Sequence, residues 1–74
     1  MKIRWADGSE QEATDWVQML KDTIAVQWSQ MSKTEFKAEM AHRAAVWSET
    51  NLDQTQKAEG FFREMERAGL LVIL

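Results

Sequence analysis

No cysteine occurs in the chain, so neither a disulfide framework nor a thiolate metal site is available and the fold must be held by packing. A reducing, cytoplasmic setting is the expectation that fits. Proline is also absent and there are only three glycines, which leaves no proline-rich or glycine-rich linker to separate domains. Long apolar runs are missing too. The N-terminal MKIRWADGSE has no signal-peptide core, and the apolar stretch Leu70 to Leu74 falls far short of the roughly 20 residues that a spanning helix needs. No membrane partner is expected. Nor does charge of one sign dominate: nine Lys and Arg are interspersed with twelve Asp and Glu, for a net charge of −3. Long-range attraction to phosphate is therefore weak, and nucleic acid is not the expected partner.

Catalytic constellations are lacking as well. His42 is the single histidine, and without thiolates a metal site would have to be built mostly of carboxylates. It reads as a surface helix position. Ser9, Ser29, Ser32 and Ser48 sit in no nucleophile elbow, and no glycine-rich phosphate loop is present. The sequence thus predicts a non-enzymatic protein with no cofactor.

What is present is a globular composition, 45% hydrophobic and 28% charged, in 74 residues. That is one small domain, residues 1–74, with too little core to enclose a cofactor-sized cleft. Ile3 and Trp5 alternate with Lys2 and Arg4 before an Asp7-Gly8 turn signal, the pattern of a strand entering a hairpin. A two-residue loop there would put Glu10 opposite Trp5 and Glu12 opposite Ile3, setting carboxylates on the apolar face. A loop one residue longer pairs Ile3 with Ala13, Arg4 with Glu12 and Trp5 with Gln11, and this is the register expected.

From Thr14 the period changes to that of a helix. Trp16, Leu20, Ile24 and Trp28 recur every four residues, with Val17, Thr23 and Met31 on the same side and Thr14 or Asp15 as the cap. Ser32 and Glu35 have capping-box spacing and open a second helix, whose apolar stripe is Phe36, Met40, Ala44 and Trp47. Asn51 or Asp53 can cap a third helix, Asp53 with Gln56 repeating that spacing, and the helix ends at Ala68 before a left-handed Gly69, with Ala58, Phe61, Phe62 and Met65 inward. The β-prone LLVIL then reads as a strand beside Lys2 to Ala6. The fold class is α+β: a three-helix layer on a small two- or three-stranded sheet formed by the N- and C-terminal strands.

Of the four tryptophans, Trp16, Trp28 and Trp47 are expected in the core, while Trp5 lies on a strand whose outer face is open. If Leu70, Val72 and Leu74 face the helices, Leu71 and Ile73 face outward. The functional expectation is a protein–protein interaction domain or accessory subunit, a homodimer through the C-terminal strand, with Trp5, Leu71 and Ile73 as partner contacts. One alternative comes from the stretch FFREMERAGLLVIL. It resembles the closing helix and first wing strand of winged-helix transcription regulators, which implies nucleic-acid binding through Lys57, Arg63 and Arg67. Asp53, Glu59, Glu64 and Glu66 oppose those charges on the same segment. A small acidic phage-type inhibitor, whose carboxylates imitate phosphate, is a further alternative.

Overall fold

A computed structural model describes residues 1–27 and 31–74. In chain order the elements are β1 (Lys2–Trp5), β2 (Glu10–Glu12), α1 (Trp16–Gln27), α2 (Lys33–Ser48), α3 (Ala58–Arg67) and β3 (Leu71–Ile73). The strands form one antiparallel sheet in the order β2-β1-β3, and the helices cover one of its faces. This is the α+β layout expected, with the two terminal strands side by side.

The hairpin register differs from both alternatives read from the sequence: Lys2 pairs with Glu12, Ile3 with Gln11 and Arg4 with Glu10. The loop grows toward the N-terminus, not the C-terminus. Trp5 and Ser9 close a three-residue loop, with the Trp5 N–H on the Ser9 carbonyl at 2.8 Å and Gly8 at φ +93° supplying the left-handed position such loops need. Two ion pairs favour this register on the outer face, where Glu10 accepts from Lys2 Nζ at 3.1 Å and from Arg4 Nη2 at 2.8 Å.

Local chemistry sets the helix ends. Asp15 caps α1, its Oδ1 accepting the Gln18 N–H at 2.8 Å. Ser32 and Glu35 form the reciprocal capping box of α2. The third expected cap does something else. Asp53 holds the Thr55 N–H at 3.0 Å and the Gln56 side chain at 3.1 Å in an isolated turn, and α3 begins five residues later, at Ala58, behind Lys57. It ends in a Schellman motif: Leu70 N–H reaches the Met65 carbonyl and Gly69 N–H the Glu66 carbonyl, both at 3.0 Å, with Gly69 at φ +82°.

That motif sets the parity of the last strand. Leu70 is consumed as the apolar residue after the cap and is buried, so the strand proper starts at Leu71. Leu71, paired with Trp5, and Ile73, paired with Ile3, then face the helices, while Val72 and Leu74 face out. This reverses the expected orientation: Leu71 is only 2% exposed and Ile73 is half-buried.

The core is built from Ile3, Met19, Leu20, Phe36, Met40, Ala44, Phe61, Phe62, Met65 and Leu71. Trp16 packs on Phe62 with centroids 5.3 Å apart, and Phe36 meets Phe61 edge-on at 6.3 Å. Trp28 and Ser29 lie outside the described residues. Trp47 is a clear correction: it is 68% exposed. Among the described residues no helix is long and apolar enough to cross a membrane.

Candidate protein-docking site

Phe36, Met40 and Ala44 follow one another at four-residue steps along α2 into the interior, and in the last turn Ser48 Oγ still reaches the Ala68 carbonyl at 2.6 Å, while the Trp47 side chain stands 68% exposed. The indole overhangs a pocket of about 180 Å³ lined by Met40, Arg43, Trp47, Trp5, Ala6, Asp7 and Leu70. Met40 and Leu70 are buried and make an apolar lining, Trp5 forms a half-buried wall, and the charged groups stand at the rim.

The Trp5 wall is held in place. Its Nε1 donates to Gln11 Oε1 at 3.1 Å, and Gln11 Nε2 donates to Thr23 Oγ1 at 2.7 Å and to the Met19 carbonyl at 3.2 Å. Thr23 in turn donates to the same carbonyl at 2.8 Å. The observed register places Gln11 on the inner face opposite Ile3, where an unsatisfied amide would be costly. Every buried side-chain nitrogen and oxygen among the described residues has a partner.

Two charges mark the rim. Ser9 donates to Asp7 Oδ1 through Oγ at 2.7 Å and through its backbone N–H at 2.9 Å, and these bonds hold the carboxyl below its ordinary pKa. Arg43 donates through Nε to Glu39 at 3.2 Å, with 38% of its side chain exposed. The pocket therefore joins an aromatic-walled apolar floor to one anion and one cation.

Small-molecule and cofactor sites occupy about 300–1,000 Å³, whereas an apolar cavity of about 150 Å³ holds a single benzene. At about 180 Å³ this pocket matches one large apolar side chain. Compared with known proteins, the chain matches no family model, no curated protein and no solved structure.

The residues singled out from the sequence divide. Trp5 belongs to the pocket; Leu71 is buried and Ile73 half-buried on the sheet face that meets the helices, while Val72 and Leu74 are exposed. Lys57, Arg63 and Arg67 do not form a free basic row. Arg63 pairs with Glu59 at 3.3 Å and Arg67 with Glu64 at 3.1 Å, and Arg67 also donates to the Asn51 carbonyl at 3.0 Å. His42 is exposed on α2, and among the described residues no three His, Asp or Glu side chains gather at metal-binding distance. Sequence reading missed Met40, Arg43 and Leu70 as a shared lining, because Met40 and Arg43 of α2 meet Leu70, from the turn after α3, only in the folded chain. The one signal available was a tryptophan in the last turn of a helix.

Proposed function

We propose that this protein is a non-enzymatic protein-interaction domain that captures one large apolar side chain of a protein partner between Trp5 and Trp47. The carrying observation is the exposure of Trp47 at 68% beside an apolar pocket of one-side-chain volume. Tryptophan is enriched among residues that dominate binding energy, and such residues cluster round well-packed pockets. Docking through the C-terminal strand has less in its favour. Leu71 is buried, and the outward N–H of Ile73 on that sheet edge is already taken by Glu66 Oε2 at 2.7 Å.

The test is a peptide-display selection on the immobilised protein, counter-screened on Trp47→Ala. Recovered peptides should share a single aromatic or large aliphatic anchor and bind the variant at least about tenfold more weakly, the scale of a binding hot spot. Failure to enrich any peptide, or equal binding to wild type and variant, removes the proposal.

A further inference from the structure

We infer that the partner segment held by this pocket carries a Lys or Arg within two residues of its apolar anchor, and that this cation pairs with Asp7 at the rim. The inference rests on the reading of the pocket as a protein-docking site and adds the charge of what docks there.

The two charged residues on the lining are not equivalent. Arg43 already faces a carboxylate of its own chain, its Nε donating to Glu39 at 3.2 Å, so that pair is close to neutral. Asp7 accepts from uncharged donors, the Ser9 hydroxyl at 2.7 Å and the Ser9 N–H at 2.9 Å, and among the described residues no cation stands within ion-pair distance of it. Both bonds favour the ionised form, which keeps the carboxyl charged at neutral pH. The uncompensated charge of the rim is therefore negative. Other carboxylates of the chain do not compete for this role: Glu10, Glu39, Glu59 and Glu64 are each matched by a Lys or Arg, and none of them lines the pocket.

The position of this charge is fixed relative to the aromatic wall. Asp7 follows Trp5 by two residues in the three-residue loop that Gly8 turns at φ +93°, and both Ser9 bonds fall on Oδ1. Filling the pocket with an apolar side chain removes water from its rim, which costs an exposed carboxylate part of its hydration. A cation from the partner offsets that cost, while a partner acid adds repulsion. Two extended residues span at most about 7 Å, so a basic residue that close to the anchor keeps its head group near the same rim. Its aliphatic stem can lie along the indoles with the charge in water.

The test uses a peptide recovered from a random library on the wild-type protein, synthesised with a fluorescent label and followed by anisotropy. Recovered peptides should carry Lys or Arg within two residues of the anchor. Replacing that residue with Gln should raise Kd for wild type about threefold to fivefold, the scale of an exposed ion pair. Asp7→Asn keeps an acceptor for Ser9 and should raise Kd for the parent peptide by the same factor, with no further loss when the peptide is also changed. Glu12→Gln alters net charge equally at a residue that does not line the pocket and should change Kd less than about twofold. Circular dichroism confirms that both variants are folded; the peptide substitution on wild type needs no variant at all. Peptides that require Trp47 yet lack a basic residue near the anchor overturn the inference and leave the docking site standing. Additive losses, or equal losses with Asp7→Asn and Glu12→Gln, also overturn it, since attraction to the overall charge of −3 would then explain the preference. If no peptide is enriched, both readings fall.

Discussion

Trp5 is tied to Gln11 by an indole N–H···O bond of 3.1 Å, and through Gln11 to Thr23 and the Met19 carbonyl on α1. One wall of the pocket is thus fixed to the helical layer before any partner arrives. Fixing it in advance reduces the ordering cost of binding. Replacing Gln11 with Ala leaves the Trp5 indole N–H without its acceptor and should lower stability by about 1–3 kcal/mol, the cost of breaking partly buried hydrogen bonds. Urea denaturation measures it. A loss within error would mean that water replaces the amide and the wall is not held.

The exposure of Trp47 separates binding from folding. Trp47→Ala should change unfolding free energy by no more than about 0.5 kcal/mol, as at other surface positions. Phe36→Ala, at a fully buried site, should cost about 3–5 kcal/mol. Chemical denaturation of the two variants side by side checks the contrast. A Trp47→Ala protein as damaged as Phe36→Ala would put the indole in the core.

Glu49 ends α2 at φ 50°, the one described residue other than glycine with positive φ. That left-handed conformation costs an L-residue with a side chain roughly 1–2 kcal/mol. Glu49→Gly should therefore raise stability by about 1 kcal/mol, after allowing for the greater freedom of glycine in the unfolded chain. Thermal melting should show an increase; a decrease would indicate that the Glu49 side chain makes a contact worth more than the strain.

Four carboxylates sit below their ordinary pKa in the folded chain. Glu64 is lowered by Arg67 and then by the Asp53 N–H, Glu10 by Arg4 and Lys2, Asp53 by Thr55, and Asp7 by Ser9. A depressed folded value means that the unfolded chain binds the proton more readily. The stabilisation is complete above the ordinary carboxylate range, about pH 4–5, and is lost as pH falls through the lower folded values. Melting temperature should decline on acidification below about pH 4.5, and Glu64→Gln should flatten part of that decline. The shares of Glu64 and Glu10 come from exposed ion pairs with Arg67, Arg4 and Lys2, so added salt should shrink that part of the effect. A melting temperature independent of pH across this range would rule out these bonds as contributors.

Much of the fold was legible because short-range chemistry decided it. Asp15, the Ser32–Glu35 box and Gly69 mark helix ends through bonds to residues no more than five positions away, and such bonds survive tertiary context. Where two local solutions shared a spacing, the sequence did not discriminate. Asp53 with Gln56 fits a capping box and an isolated turn equally well, and the turn formed. Leu70 to Leu74 are all apolar, so no alternation reported which side faces inward; the Schellman motif decided it by claiming Leu70. The pocket was least legible. Whether Trp47 fills a core or overhangs a pocket depends on which elements distant in sequence pack against the last turn of α2.

Fluorine NMR of the protein labelled with 5-fluorotryptophan, titrated with a selected peptide, tests the central claim most directly. Single Trp→Phe variants assign the signals. The Trp5 and Trp47 resonances should shift together and saturate with the peptide, while Trp16, packed on Phe62 at 5.3 Å on the helical side, stays in place. Saturable binding that leaves both Trp5 and Trp47 unmoved would contradict the account, because the partner would then be docking elsewhere.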